Sequence, residues 1–396
     1  MELAYALVTP YTIRKSRTGS VLARMLSRTS NTLVAMQMLA PTKEISERFA
    51  DSIRPGPDEE DEYYRRLIRD YIRRTFAPDP VTGQRQRVLM LVFQGDNAHE
   101  ELSRITGKLR ISSDQGDTLR NAFGDLILDS DGTALYFEPA VILSDHQEDL
   151  RIWLDFLKTE PPVLEDICRY DHYDDSADSS CGIERTLVLI KPDSWRQRSS
   201  RPGAILGLFS RTGLRIIGCK VNFMSVNQAM SFYAPVKREL IRKLSPRIAS
   251  EARRILQREL AIMLPPENEA ALEQAVGEPY AMEQFERLVE FMSGTRPGQC
   301  SEDQRDIPGT ASSLALVYEG PDAVSKIRDV LGPTDPMQAP GGTVRREFGA
   351  DIMVNTAHAS DSVENAIREM EVIGIHQPHL VPTVERLLDE GGGGNV

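Results

Sequence analysis

Short apolar runs of about four to eight residues alternate with amphipathic stretches along most of the chain, a rhythm that predicts strands separated by helices. In the second half the strand-like runs are Arg185–Ile190, Leu214–Asn222, Ser313–Tyr318 and Asp351–Asn355. Helical spacing covers Gly203–Thr212, Ala323–Leu331 and Ser362–Met370, with Gly213 closing the first and Pro321-Asp322 opening the second. A helical region containing Tyr233 and Phe291 separates the second strand from the third. The order is β-α-β-β-α-β, the split arrangement of a ferredoxin-like α+β domain, an antiparallel four-stranded sheet covered by helices. The first half carries matching runs at Ala4–Val8, Thr32–Leu39 and Val88–Phe93.

The halves resemble each other in detail. Glu2-Leu-Ala-Tyr-Ala-Leu-Val-Thr9-Pro-Tyr11 echoes Glu184-Arg-Thr-Leu-Val-Leu-Ile-Lys191-Pro-Asp193. Val88–Ala98 echoes Leu314–Ala323, and Gly116-Asp-Thr118-Leu-Arg120 through Phe123-Gly124 echoes Gly342-Thr343-Val-Arg345 through Phe348-Gly349. Echoes in the same order point to a tandem duplication, with a period of about 180 to 225 residues, too long for a solenoid. The expected division is a first domain over 1–157, an acidic linker over 158–182, a second domain over 183–390, and a flexible tail at 391–396. Within the second domain, residues near 237–283 are extra. Ile248, Ala252, Ile255, Leu256 and Leu260 there share one helical face, as in a helix packed on the domain surface, a lid or a subunit contact. Thr295–Thr310 reads as a polar loop.

A net charge of −12 argues against a chain that coats nucleic acid, whose phosphates need a basic face. No apolar run approaches the roughly 18 residues of a membrane span, and the first residues lack the basic start of a signal peptide. Cys168, Cys181, Cys219 and Cys300 are scattered, as expected of reduced thiols rather than a metal or disulfide framework. A cytoplasmic protein is the expectation.

The chemistry concentrates in Asn355-Thr-Ala-His358-Ala-Ser360-Asp361-Ser362 and in Ile190-Lys191-Pro-Asp193. A histidine among small residues before a helix, with a lysine delivered by a strand end, suggests a nucleophilic imidazole beside a phosphate-binding cation. On these motifs, with Thr334-Asp-Pro336 and Gly342-Thr343-Val-Arg345, residues 184–371 resemble the nucleoside diphosphate kinase family. The resemblance implies transfer of a γ-phosphate between nucleotides by a ping-pong mechanism through phosphorylated His358. It implies that Glu369 orients the histidine, that Lys191, Arg328 and Arg345 bind phosphate oxygens, and that Tyr233 lies beside the lysine and histidine. Thr334 and Asn355 match donors to phosphate and ribose hydroxyls, and the base-stacking aromatic falls at Gln284 or Phe285. Mg²⁺ is expected on the nucleotide phosphates, with no protein ligand. Asp361 and Ser362 read as the helix N-cap.

The sequence departs from the family at Ala359 and Ser194, where the family has glycine. The first half departs further. Thr9 stands for the lysine, Tyr11 for the aspartate, Phe49 for the tyrosine and Ser103 for an arginine, and only Arg120 survives. Aligned by sequence, Tyr136-Phe-Glu138-Pro139 faces Asn355-Thr-Ala-His358, placing Pro139 at the nucleophile, with His99 and His146 too far away to substitute. The first half therefore reads as a catalytically dead copy. The expected partners are ATP and other nucleoside di- and triphosphates, with no nucleic acid and no membrane, in a homo-oligomer or an intramolecular pseudo-dimer. Two alternatives remain open: a nucleotide-binding regulatory or scaffold protein with little turnover, and a phosphohistidine protein that passes phosphate to another protein.

Overall fold

The computed structural model describes residues 1–109, 116–144, 146–147, 149–159 and 182–392. The chain forms two compact units. The larger comprises Met1–Val221, Leu314–Met370 and the residues from Gly374 onward, and the smaller comprises Asn222–Ser313 with Glu371–Ile373. Among the described residues, no helix is long and apolar enough to cross a membrane.

In chain order the elements of the first half are β1 (Glu2–Val8), α1 (Pro10–Arg14), α2 (Thr18–Arg28), β2 (Thr32–Leu39), α3 (Lys43–Ser52), α4 (Glu59–Thr75), β3 (Val88–Gly95), α5 (Ala98–Thr106), α6 (Leu119–Phe123), β4 (Asp125–Leu128), β5 (Ala134–Glu138), β6 (Val141–Leu143) and α7 (Asp149–Thr159). Those of the second are β7 (Ile183–Ile190), α8 (Arg201–Phe209), β8 (Arg215–Phe223), α9 (Val226–Phe232), α10 (Ala234–Leu260), α11 (Glu269–Leu272), α12 (Glu278–Ser293), β9 (Ser312–Pro321), α13 (Ala323–Leu331), α14 (Val344–Phe348), β10 (Ala357–Ala359), α15 (Val363–Ile373) and α16 (Leu380–Gly392). The linker expectation falls on residues 160–181, and the tail expectation on 393–396, outside the described residues. The last helix runs through Gly392, two residues into the expected tail.

Two four-stranded sheets have the orders β2-β3-β1-β6 and β10-β7-β9-β8. Ranked within its own half, each reads second, third, first, fourth, the ferredoxin-like order. The central strands are buried on both faces and so read as continuous apolar runs, Leu187–Ile190 and Leu314–Val317 among them. The first half adds a separate β4–β5 hairpin before its fourth strand.

Both sheets belong to the larger unit, where α2 crosses α8 at glycines. A Cβ on Gly203 would lie 2.2 Å from the Ala23 nitrogen and 2.4 Å from the Gly19 oxygen, and one on Gly19 would lie 2.5 Å from the Gly207 nitrogen. Only glycine permits that approach. The Arg87 guanidinium donates to the Ile216 carbonyl at 2.9 Å, joining first-half chain to β8. The C-terminal helix α16 also reaches across. Its Leu380, Val381, Val384 and Leu387 lie in one core with Tyr5, Phe49, Trp153 and Leu157, and Lys158 pairs with Glu385 at 2.6 Å. The sequence repeat ends the second copy at residue 390, yet its last helix is packed into the first copy's core.

The smaller unit is helical. Its α9 opens with a capping box in which Ser225 Oγ accepts from the Gln228 amide and Gln228 Oε1 accepts from the Ser225 amide. The 27-residue α10 continues through Pro246. Its buried residues are Ser245 and Ala249, not the stripe expected from Ile248 to Leu260, whose Leu260 is 58% exposed. Small residues take the contact because α10 meets Gly277 closely: a Cβ there would lie 2.3 Å from the Ser245 oxygen.

A second expectation is corrected in the larger unit. Asp351–Asn355 is a turn, not a strand, and the fourth strand is Ala357–Ala359. The Asp351 carboxylate accepts from the Met353 and Val354 amides, both at 2.7 Å, and these local bonds replace a sheet ladder. His358 therefore sits within the strand rather than after it.

Candidate active site

The buried strand β7 carries its chain to Lys191, which has only 5% of its surface exposed. The Lys191 amide donates to the Thr356 carbonyl at 2.8 Å, and its Nζ donates to Asn355 Oδ1 at 2.6 Å and to the Met353 carbonyl at 3.4 Å. Burial, and then the nearby Arg345 charge, lower the Lys191 pKa to about 8. Asn355 is fully engaged, since its Nδ2 also donates to the Thr334 and Ile352 carbonyls. In this geometry Asn355 joins the lysine to the Thr334 loop rather than presenting a donor outward.

Antiparallel pairing sets Ala357 opposite Ile190 and His358 opposite Leu189. The His358 side chain is 21% exposed, and its Nε2 lies 2.9 Å from Glu369 Oε2. A carboxylate can only accept, so Nε2 carries the proton. Glu369, 4% exposed on α15, also accepts from Ser360 Oγ at 2.6 Å and pairs with Arg368 at 3.4 Å. Ser362 Oγ accepts from the Asn365 amide at 3.1 Å and caps α15, which fixes the helix that carries Glu369.

Arg345 donates to the Gly332 carbonyl at 2.9 Å and to the Ala357 carbonyl at 3.1 Å, holding β10 to the end of α13. Arg328 and Thr334 are exposed on α13 and the loop after it. Tyr233 and Phe285 belong to the smaller unit. Tyr233 is buried against the Phe232 ring at 4.9 Å. Phe285 is 1% exposed, with Lys237 Nζ 5.6 Å from its ring centroid. The expectation that Phe285 stacks a base thus meets a ring already packed inside the helical unit, with no open face.

Two features escaped the sequence. Arg201 donates through one terminal nitrogen to Asp193 Oδ2 at 3.0 Å and to Thr356 Oγ1 at 2.9 Å, and that nitrogen also bonds the Phe348 carbonyl. Thr356 has φ of 75°, a left-handed conformation that costs a β-branched residue about 1–2 kcal/mol. The Arg-x-Gly sequence at 17–19 and again at 201–203 was the available signal. Ser360, read in sequence as part of the histidine motif, donates to Glu369.

The first copy repeats the framework with different side chains. The Thr9 amide donates to the Ala140 carbonyl, as Lys191 does to Thr356, and Ala140 also has positive φ, 60°. Arg120 donates to the Gly107 and Val141 carbonyls, matching Arg345 bond for bond. Arg17 donates to the Phe123 carbonyl, as Arg201 does to that of Phe348. The register corrects the sequence alignment. Ile142 lies opposite Leu7, as His358 lies opposite Leu189, so Ile142 occupies the position of His358 and Pro139 that of Asn355. The β4–β5 hairpin hid this three-residue shift. Eleven residues after Ile142, where the second copy has Glu369, stands the buried Trp153. A cavity of about 1110 Å³ lined by Phe49, Ser103, Lys108, Arg120 and Ile142 remains there.

Among the described residues, no group of three or more His, Cys, Asp or Glu side chains could hold a metal ion. The family model for nucleoside diphosphate kinase matches residues 235–374, which include His358 and Glu369 and begin after Lys191 and Tyr233. A nucleoside diphosphate kinase of Halorhodospira halophila is 30% identical over 189 residues, 48% of this chain and 91% of that protein. One of Chlamydia pneumoniae is 31% identical over 188 residues, 48% of this chain and 88% of that protein. The solved nucleoside diphosphate kinase of Aquifex aeolicus is 27% identical, covering 48% of this chain and 95% of that one, with a TM-score of 0.30. The Halorhodospira halophila relative, 30% identical and covered over 91% of its length, shows that the chain belongs to the nucleoside diphosphate kinase family.

Proposed function

We propose that the second copy transfers the γ-phosphate of a nucleoside triphosphate to a nucleoside diphosphate through phosphorylated His358. The observation that carries this reading is the His358–Glu369–Ser360 chain of hydrogen bonds. With the proton held on Nε2, the lone pair lies on Nδ1, which attacks the γ-phosphorus. The bond from phosphorus to the β-phosphate bridging oxygen breaks, and the diphosphate leaves with the electron pair. Glu369 then faces an imidazole ring that has gained positive character, and its carboxylate stabilises it. In the second half-reaction the terminal oxygen of another diphosphate takes the phosphoryl group and restores the neutral ring.

Lys191 supplies positive charge to the phosphates, and Arg328 is an exposed second cation. Arg345 and Asn355 act mainly by holding the backbone on which His358 and Lys191 stand. The carboxylates near the histidine are committed, Glu369 to His358 and Ser360 and Asp193 to Arg201, so Mg²⁺ fits best as a passenger on nucleotide oxygens. The family's phenol is assigned to Tyr233 by the resemblance alone, and base binding is assigned to no stacking ring. The first copy acts as a packing partner, an intramolecular pseudo-dimer built on the α2–α8 glycine crossing and α16.

Ala359 in place of the family's glycine, and Ile142 in place of His358 in the first copy, favour the second reading, a nucleotide binder with little turnover. Phosphate exchange from ATP to GDP, TDP and CDP separates the two. Exchange by the wild-type chain that disappears in His358→Ala is expected. Nucleotide binding without exchange in either would establish the binder instead.

A further inference from the structure

We infer that Arg201 is a positioning residue of the phosphotransfer site, clamping the strained Thr356 so that Lys191, Asn355 and His358 share one register. The inference rests on the phosphohistidine reading above. Thr356 lies at the junction of all three: its carbonyl accepts the Lys191 amide, Asn355 precedes it, and His358 follows two residues later. Its backbone has positive φ although it is not glycine, so the surroundings must hold it there. Ala140 keeps a positive φ in the first copy without any side-chain bond, so the fold sets this turn, and Arg201 adds a hold on its side chain, binding Thr356 Oγ1 while anchored to the buried Asp193 carboxylate and the Phe348 carbonyl.

The first copy isolates what is special. Its Arg17 keeps the carbonyl bond to Phe123, so that bond belongs to the fold. In place of Asp193 stands Tyr11, whose ring lies 5.9 Å from the Arg17 guanidinium, and in place of Thr356 stands Ala140, which has no oxygen to grip. The two side-chain bonds of Arg201 occur in the copy that keeps His358 and not in the copy that lost it. They run from the lysine's loop to the histidine's strand.

The test is a double-mutant cycle on Arg201→Gln and Thr356→Val, the latter isosteric with the native side chain and lacking only the acceptor. Labelling of His358 by γ-labelled ATP is followed in a single turnover, with KM for ATP measured separately. Each variant is expected to slow labelling about 10- to 100-fold, the scale of a small displacement at a reacting group, with KM changed less than about threefold. The double variant should be no slower than the worse single, because both remove one interaction. Hydrogen exchange of the Lys191 amide gives a readout independent of turnover, and it should lose protection in both single variants. A wild-type chain that takes no label strikes the phosphohistidine reading alone, while unchanged Lys191 protection overturns the clamp. Additive losses, or normal labelling in Thr356→Val, overturn it as well. If Arg201→Gln does not fold, Thr356→Val decides by the same two readouts.

Discussion

The two copies share a sheet order, an arginine tied to two carbonyls and a residue of positive φ before the fourth strand, yet they differ wherever a reacting phosphate would be met. Arg120 and Arg345, like Arg17 and Arg201, keep the bonds they make to backbone oxygens. Lys191, His358 and Glu369 give way to Thr9, Ile142 and Trp153. Backbone-binding arginines persist because losing one leaves buried carbonyls unsatisfied, whereas a catalytic side chain can be replaced by any residue that packs. The pair Ile142 and Trp153 takes the space of a histidine–carboxylate pair with apolar groups, and both lie in the core of the first sheet. Arg345 in the second copy should therefore be regarded first as framework.

The comparison can be broken most severely where the copies are joined. Val384→Asp puts a carboxylate into the core where α16 packs against Trp153, and should cost about 3 kcal/mol or more in chemical denaturation. It should destabilise the first copy although residue 384 belongs to the second copy by sequence. An unchanged midpoint would mean that α16 is dispensable there. Glu369→Gln retains the shape beside His358 and removes the charge, and should slow single-turnover labelling about 100-fold with the fold intact. A rate within a few-fold of wild type would remove Glu369 from the proposed mechanism.

The glycine crossing allows a matched pair of smaller effects. Gly203→Ala should lower stability by about 1–3 kcal/mol, because its Cβ meets backbone atoms of α2 that cannot move aside alone. Gly207→Ala on the same helix meets nothing within 4 Å and should be neutral or stabilising by up to about 1 kcal/mol. Equal losses in both would show that the helices are not held together at Gly203.

The smallest effect is on pH dependence. Folding lowers the Lys191 pKa from 10.5 to about 8, so the folded chain releases the lysine proton more readily than the unfolded one and gains stability as pH rises from about 8 towards 10.5. Bound polyphosphate acts in the opposite sense and draws the pKa back up. Nucleotide affinity should fall as pH rises above about 8, with binding accompanied by uptake of up to one proton per site. Calorimetry in buffers of different ionisation enthalpy measures that uptake, and none at pH 9 would contradict the assignment of Lys191 to the phosphates.

The order of the elements could be read from apolar runs, because central strands buried on both faces leave an unbroken signal in Leu187–Ile190 and Val88–Phe93, and the likeness of the two halves from the motif echoes. The fourth strand could not. With three residues, β10 is too short for a periodicity, and the apolar letters before it belong to a turn closed by Asp351. Sequence spacing set Pro139 opposite His358 because it cannot see the β4–β5 hairpin, whereas pairing with β1 counts residues directly. The stripe on α10 misled for another reason: apolar spacing gives a face without saying what lies opposite, and the tight contact with Gly277 selects Ser245 and Ala249. His358, Lys191 and Glu369 were legible as motif letters. Arg201 was not, since its role follows from the left-handed backbone of Thr356, which a threonine does not announce.

The most direct measurement of the central claim is the number and position of phosphoryl groups taken from γ-labelled ATP by the full-length chain. One acid-labile, base-stable phosphate per chain, mapped to His358 and absent from His358→Ala, is predicted. Label on His99 or His146, two labels per chain, or label that survives His358→Ala would contradict the division into one reacting copy and one that serves only to pack.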